Sequence, residues 1–201
     1  MRLGSALIAL TALAIAASHA AAQPAAAPWV AISEQATFLT GDTWTEGDTT
    51  FRLYGVQSCL RSTFFTNAHG IKRDCGEASA TMLIALIRDL KPQCATVATM
   101  AQPKTNFVYC LATLTQGQHA GARIDLGTAL ISSGFAFAAL TPAAKPVHEP
   151  YFVAQLVAQK ARTGLWQFPD TPDPNAAILR AIQTAAPPPP APAQPNRATP
   201  R

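Results

Sequence analysis

The residues whose type and spacing most directly suggest chemistry are the four cysteines, Cys59, Cys75, Cys94 and Cys110. The gap between the first two equals the gap between the last two. Four cysteines allow three pairings, and a disulfide across a loop of this length contributes about 3 kcal/mol to stability. We therefore favour the bonds Cys59 to Cys75 and Cys94 to Cys110. Zinc binding is the alternative, but structural zinc sites use close C-x-x-C pairs, which are missing here.

Histidines could also bind a metal or transfer protons, but the sequence spreads them widely. His69, His119 and His148 each fall in a predicted loop, so they form no local metal motif and are more simply explained as surface residues. The sequence contains neither a G-x-S-x-G nucleophile elbow nor a phosphate-binding glycine loop. These observations argue against serine-hydrolase and P-loop chemistry.

The composition is that of a chain able to form one hydrophobic core. Its 201 residues are 49% hydrophobic and 13% charged, with a formal net charge of +4, which excludes a wholly disordered chain. Domains usually have about 100 to 200 residues, so we expect no second full domain. The mild positive charge favours anionic partners without forming the dense basic patch typical of nucleic-acid binding.

The first 22 residues have the pattern of a secretory signal peptide. Arg2 precedes an apolar run from Leu3 to Ala17, and small residues follow it. The alternative, a membrane-spanning helix, needs about 20 apolar residues, which is longer than this run. We therefore expect a signal peptide within residues 1–22 that is cleaved after Ala20 or Ala22, a secreted or periplasmic protein, and no membrane span after cleavage. Export also favours disulfides, because paired thiols persist in oxidising compartments.

The rest of the chain divides into a leader, a domain and a tail. Residues 23–35 are predicted to be a flexible leader, and residues 36–168 carry the strand and helix patterns of the domain. Residues 169–184 are predicted to form a short C-terminal helix. Residues 185–201 include the run Pro187–Pro190 and are predicted to be a disordered tail, either a spacer or a ligand for a proline-binding module.

Strand and helix signals follow one another along the domain. β-branched and aromatic residues between turn signals predict a strand meander from Ala36 to Val56. Apolar residues at helical spacing predict a helix from Cys75 to Lys91, which Pro92 would stop. The other predicted elements are two strands, then two helices: Cys94–Thr99, Asn106–Leu114, Leu126–Ser133 and Pro150–Thr163.

Five short pieces of sequence follow one another in a fixed order. They are Thr40–Thr43 (TGDT), Phe51–Val56 (FRLYGV), Cys75–Ala78 (CGEA), Gly134–Ala136 (GFA) and Ala161–Trp166 (ARTGLW). In this order the chain resembles staphylococcal-nuclease-like proteins over residues 36–168. The resemblance implies an α+β fold dominated by β-structure: a five-stranded OB-fold barrel with about three packed helices. Such barrels bind ligands on one strand face.

The resemblance also implies where a catalytic site would lie. Active members of the family hydrolyse phosphodiesters with calcium held by carboxylates and with two arginines. This chain keeps one aspartate, Asp42, and one arginine, Arg52. Gln57 stands where a second aspartate belongs, Leu60 where a glutamate belongs, and Thr105 where the second arginine belongs.

These replacements predict a degenerate site. Losing a general base costs about 100- to 10,000-fold in rate, and losing a carboxylate weakens metal binding. We therefore expect no catalytic residue and no resident cofactor, with Asp42 at most a weak metal ligand. Arg52 and Lys104 remain candidate binding residues, although a lysine offers a phosphate only a looser charge. For Arg52, an ion pair with Asp42 that stabilises the fold is an equal alternative.

The sequence thus predicts a secreted, non-catalytic binding or assembly module whose partner is a nucleic acid or an envelope protein. The alternative is a calcium-dependent nuclease with a rearranged site. In that site Glu46 or Asp48 would reach the metal, and Asp74 would act as the base. A third possibility is a purely structural module tethered by its proline-rich tail.

Overall fold

The structure is a computed structural model, and it describes residues 28–185. The predicted signal peptide, residues 23–27 of the predicted leader, and the predicted tail from residue 186 onward lie outside the described residues. None of the helices in the described part of the chain is both long enough and apolar enough to cross a membrane.

Across residues 28–185 the fold is α+β, and its strands outnumber its four α-helices. The strands are β1 (Val30–Ala31), β2 (Thr37–Phe38), β3 (Thr43–Glu46), β4 (Thr49–Leu53), β5 (Val56–Ser58), β6 (Phe64–Thr66), β7 (Lys72–Asp74), β8 (Gln93–Met100), β9 (Thr105–Thr113), β10 (Arg123–Asp125) and β11 (Ala136–Ala138). The helices are α1 (Cys75–Leu90), α2 (Leu126–Ser132), α3 (Glu149–Ala161) and α4 (Pro174–Ala185), and a short 3-10 helix follows α3 at Gly164–Gln167.

The main sheet curls into a half-barrel. Its strand order is β1-β8-β9-β4-β3-β2, and β10 also pairs with β9. Strands β4 and β9 are parallel, whereas the other neighbours in this sheet are antiparallel. Strands β5 and β11 form a separate pair, and β6 and β7 form a hairpin. Both ends of the main sheet come from the segment between Val30 and Phe38, because β1 and β2 are successive pieces of it.

This arrangement corrects part of the prediction of a flexible leader at residues 23–35, namely at Val30 and Ala31. Val30 and Ala31 pair with Cys94 and Gln93, so this part of the segment belongs to the sheet. A strand of two residues, both exposed, is too short to show any alternation in the sequence. The structure therefore extends the folded domain beyond its predicted start at residue 36.

The predicted helices are present, with some shifted ends. Helix α1 begins after Asp74 and ends just before Lys91, whose backbone is left-handed. Helix α2 begins after Asp125, whose side chain accepts the Thr128 backbone N–H and thereby caps the helix. Helix α3 was predicted to extend to Thr163, but it ends at Ala161 because Arg162 already adopts the left-handed conformation. Helix α4 is the predicted C-terminal helix.

Two clusters of buried side chains form the core, and each contains one disulfide. The larger cluster holds the bond Cys94 to Cys110, and the smaller one holds the bond Cys59 to Cys75. Both bonds have the predicted pairing. Trp44 packs in the larger cluster and is only 1% exposed.

Two glycines mark a close backbone crossing between the turn after α2 and the turn after α3. A Cβ at Gly134 would lie 2.1 Å from the Thr163 carbonyl oxygen, and one at Gly164 would lie 2.2 Å from the Ser133 carbonyl oxygen. Both glycines also have positive φ angles, of 77° and 55°. Any side chain at either position would therefore force the two turns apart.

The outer edge of β11 is closed by two side-chain amides instead of a strand. Ala139 donates its N–H to Gly55 on the β5 side, so the polar groups of Ala138 point the other way. The Ala138 N–H donates to Gln155 Oε1 at 2.7 Å, and Asn175 Nδ2 donates to the Ala138 carbonyl at 3.0 Å. Both amides are buried. They attach α3 and α4 to the same residue of the sheet.

Replacing Gln155 by leucine should lower the free energy of unfolding by about 1–3 kcal/mol, because it leaves the buried Ala138 N–H without an acceptor. Urea unfolding followed by circular dichroism measures this. The matched control is Gln159→Leu on the same helix, since the Gln159 side chain makes no hydrogen bond among the described residues. Equal unfolding midpoints for the two variants would show that the amide does not stabilise this edge.

Candidate functional site

Asp42 lies in the turn between β2 and β3 and is almost fully buried, with its side chain 3% exposed. The turn is fixed by the sheet, because the Asp42 carbonyl accepts the backbone N–H of Leu53 at 2.9 Å. The carboxylate is thereby directed towards β4 and β5. The residues it meets there decide whether it could bind a metal.

The Asp42 carboxylate accepts five hydrogen bonds from the chain. The donors are the hydroxyls of Thr40, Thr43 and Ser58, the backbone N–H of Ser58, and Arg52 Nε. The Arg52 Nε lies 3.1 Å from Oδ2, and the Ser58 hydroxyl lies 3.2 Å from Oδ1. An ionised carboxylate has about four lone-pair positions. Donors of the chain itself therefore satisfy both oxygens of this carboxylate.

Arg52 joins Asp42 to Gln57. Its Nη2 donates to Gln57 Oε1 at 2.8 Å and also lies 3.1 Å from Asp42 Oδ2. Gln57 Nε2 in turn donates to the Ser58 carbonyl at 2.9 Å. The structural alternative for Arg52, an ion pair with Asp42, is thus observed. The arginine side chain is still 36% exposed, so part of it remains accessible to solvent.

We call the residues joined in this way the Asp42 cluster: Thr40, Asp42, Thr43, Arg52, Gln57 and Ser58. The sequence singled out three of them, Asp42, Arg52 and Gln57, and the structure brings these three together. It did not single out the hydroxyl residues. The only signal for them was that Thr40 and Thr43 flank Asp42 and that Ser58 follows Gln57.

The other residues singled out by the resemblance are not hydrogen-bonded to this cluster. Thr105 begins β9, pairs opposite Thr50, and donates its hydroxyl to the Pro103 carbonyl at 3.1 Å. Lys104 is exposed and Leu60 is half-buried after β5. Among the hydrogen bonds and ion pairs of residues 28–185, none connects Lys104 to Asp42 or Arg52.

The carboxylates that a rearranged site would need have other partners or lie in solvent. Glu46 Oε1 accepts the Ser33 backbone N–H and the Trp44 indole N–H, both at 3.1 Å. Asp48 lies in the exposed turn between β3 and β4. These positions give no support to a metal site built from Glu46 or Asp48.

Asp74 is the N-cap of α1. Burial by itself would raise the pKa of this carboxyl, but the backbone N–H groups of Glu77, Ser62 and Gly76, with the charge of Arg61, bring it below its usual value. The bonds from Glu77 and Ser62 are 2.9 and 2.8 Å long. A carboxylate that is held ionised by these donors is poorly suited to take up a proton.

The histidines are as scattered in space as in sequence. His69 lies in the β6–β7 turn and His119 in the β9–β10 loop, while His148 packs edge-on against Tyr151 with ring centroids 4.5 Å apart. Within residues 28–185 no three histidine, cysteine, aspartate or glutamate side chains form a group that could hold a metal ion.

Comparison of the sequence with protein-family models and with curated proteins finds no match. The likeness of the five sequence pieces to staphylococcal-nuclease-like proteins therefore stays a prediction.

Proposed function

We propose that this protein is a divergent staphylococcal-nuclease-like domain that acts as a non-catalytic binding or assembly module. The strand connectivity supports the family. If β1 and β2 are counted as one strand, and β4 and β5 as one strand, the barrel has five strands with β3, β8 and β9. The first then pairs with the second and the fourth, and the third runs parallel to the fifth. This connectivity is our support for the proposed five-stranded OB-fold barrel.

The positions of the retained residues support the same proposal. Asp42 and Arg52 come from separate sequence pieces, yet they form an ion pair beside Gln57 and Ser58 of β5. Gln57, at the position of the second metal aspartate, bonds to the same arginine. Three positions that the resemblance assigns to one site thus meet at one place.

The proposed loss of catalysis is supported by one observation: donors of the chain itself hydrogen-bond to both oxygens of the Asp42 carboxylate. Calcium prefers 6 to 8 oxygen ligands, several of them carboxylates. Here the retained carboxylate is fully hydrogen-bonded and the second has become an amide, so the residues present do not fit a calcium ion. Arg52 neutralises Asp42 and thereby stabilises the turn before β3.

The two disulfides indicate the cellular location of the proposed module. Two buried disulfides indicate an oxidising environment. Together with the predicted signal peptide, this supports a location of the proposed module in the periplasm or outside the cell. Its binding partner would then be an extracytoplasmic molecule.

The decisive test of this function is a nuclease assay on the oxidised protein. We expect no cleavage of single-stranded DNA or RNA in calcium above a buffer control. The variant Gln57→Asp/Leu60→Glu restores two carboxylates, and we expect it to gain at most weak activity because Thr105 supplies no second arginine. The proposal fails if the wild-type protein cleaves either substrate and a folded Asp42→Asn variant does not.

A further inference from the structure

A groove of about 830 Å³ lies on the outer face of the half-barrel, where β1, β8, β9 and β10 run side by side. Gln93 and Leu111 are cross-strand partners in its floor, while their neighbours Cys94 and Cys110 point into the core. The end of α1 forms one wall and the β9–β10 loop forms another. We call this the Trp29 groove; no residue of the Asp42 cluster lines it.

Trp29 and Arg123 come from opposite sides of the groove and meet across it. Trp29 precedes β1, Arg123 begins β10, and the guanidinium carbon lies 5.6 Å from the centroid of the indole ring. A cation over an aromatic face is an attractive arrangement that holds both side chains in place. Trp29 is nevertheless 43% exposed, whereas Trp44 is 1% exposed. The groove therefore presents a positioned and accessible indole.

Four of the other side chains that line the groove are uncharged hydrogen-bonding groups, and four more are apolar. The four hydrogen-bonding groups comprise two amides and two hydroxyls, from Gln93, Gln116, Thr113 and Thr115. Each of these groups can both donate and accept, as can the hydroxyls of a sugar. Such a lining suits a ligand covered with hydroxyl groups.

The charges in the groove favour a ligand with a negative group. Lys91 and Arg123 line it, and neither forms an ion pair with an acid among residues 28–185. The acid in the wall, Asp89, is already paired with Arg88 at 2.8 Å. The side chains that line the groove therefore carry a net positive charge.

We propose that the Trp29 groove binds a short acidic oligosaccharide, with a sugar face against the Trp29 indole and a sugar carboxylate beside Arg123 and Lys91. The proposal names a ligand class for the binding role proposed above and so rests on it. The volume lies within the range of about 300–1,000 Å³ that is usual for ligand clefts.

Two other polymers fit the groove less well. A single-stranded nucleic acid usually stacks successive bases on several aromatic side chains, and this lining has one exposed aromatic ring. A peptide that adds a strand needs an unpaired sheet edge. In the floor of the groove, however, both strands are already paired on each side. Gln93 of β8 lies between β1 and β9, and Leu111 of β9 lies between β8 and β10.

The test is a titration of the oxidised full-length protein with tri-galacturonate. Calorimetry measures the heat of binding, and acrylamide quenching of tryptophan fluorescence measures whether the ligand shields the indole. We expect binding, and about tenfold weaker binding of the neutral sugar chitotriose, because the latter lacks the carboxylates that Arg123 and Lys91 attract. Trp29→Ala and Arg123→Gln should each weaken tri-galacturonate binding about tenfold or more. Circular dichroism checks that both variants are folded.

The matched control is Arg180→Gln, which removes an exposed arginine from α4, outside the groove; its affinity should equal that of the wild type. The proposal is wrong if tri-galacturonate does not bind, if Trp29→Ala binds it unchanged, or if oligothymidylate binds the same groove more tightly. None of these outcomes bears on the nuclease assay, so the loss of catalysis and the choice of ligand are tested separately.

Discussion

Replacing Asp42 by alanine is expected to lower the free energy of unfolding by about 3 kcal/mol, since removing one member of a buried ion pair leaves the other without its partner. In this case Arg52 would lose its carboxylate, and Ser58 would lose the acceptor for both its N–H and its hydroxyl. The partial exposure of Arg52 to water keeps the expected loss at the lower end of the range for buried pairs.

Chemical unfolding followed by tryptophan fluorescence measures this change, because one of the three tryptophans, Trp44, lies in the larger core cluster. The matched control is Asp48→Ala, which removes an exposed carboxylate from the turn after the same strand, β3, and should change stability by less than about 0.5 kcal/mol. An Asp42→Ala protein as stable as the wild type would mean that the carboxylate is not retained for stability. A binding role would then have to be sought for it.

A double-mutant cycle with Arg52→Met separates the pair from its surroundings. If the ion pair stabilises the turn, the losses for Asp42→Ala and Arg52→Met should not add, and the coupling should be about 1 kcal/mol or more. Additive losses would show that the two side chains act independently.

Removing the disulfide between Cys59 and Cys75, by changing both to alanine, should cost about 2–5 kcal/mol. The bond connects the end of β5 to the first residue of α1 and encloses the β6–β7 hairpin. Without it the unfolded chain gains conformational freedom, and the buried sulfur atoms leave space in the smaller core cluster. Thermal and urea unfolding of the oxidised proteins give the difference.

The second disulfide supplies the comparison. Both bonds have a sequence separation of 16, so their chain-entropy contributions are equal in the loop-closure model. Any difference in unfolding free energy between the Cys59→Ala/Cys75→Ala and Cys94→Ala/Cys110→Ala variants then reflects how the side chains pack around the two bonds. A loss below about 1 kcal/mol for the first variant would contradict a stabilising role for that bond.

The elements that sequence patterns predicted are those with local causes. Helix α1 combines apolar residues at helical spacing with a capping aspartate, Asp74, and a stopping proline, Pro92. The disulfide pairing followed from equal loop lengths. In each case the deciding residues are close in sequence, so that no knowledge of the tertiary structure was needed.

The elements that were not predicted have partners distant in sequence. Strand β7 consists of Lys72, Arg73 and Asp74, which carry no apolar alternation. It forms only because it pairs with β6. Strand β11 is fully buried and three residues long, so its apolar run could equally have belonged to a loop or a helix end. Short strands of this kind are specified by the sheet around them.

For the candidate site, the resemblance named the positions but not the bonds between them. Asp42 and Gln57 were identified as a retained and a lost metal ligand. The sequence did not show that Ser58 would hydrogen-bond to the Asp42 carboxylate. This contact depends on how β5 passes the turn before β3, and no local pattern encodes that path. The same holds for Trp29 and Arg123, which are far apart in the sequence and meet only across the sheet.

The crossing at Gly134 and Gly164 bears on how this domain can diverge. Polar side chains on the surface of the barrel can be exchanged one at a time, whereas these two positions face each other's backbone and leave no room for a side chain on either. A substitution at one glycine cannot be compensated by shrinking the other, because both already lack a Cβ. Distant homologues should therefore keep the two glycines as a pair, one before β11 and one after α3, even where overall sequence identity has disappeared.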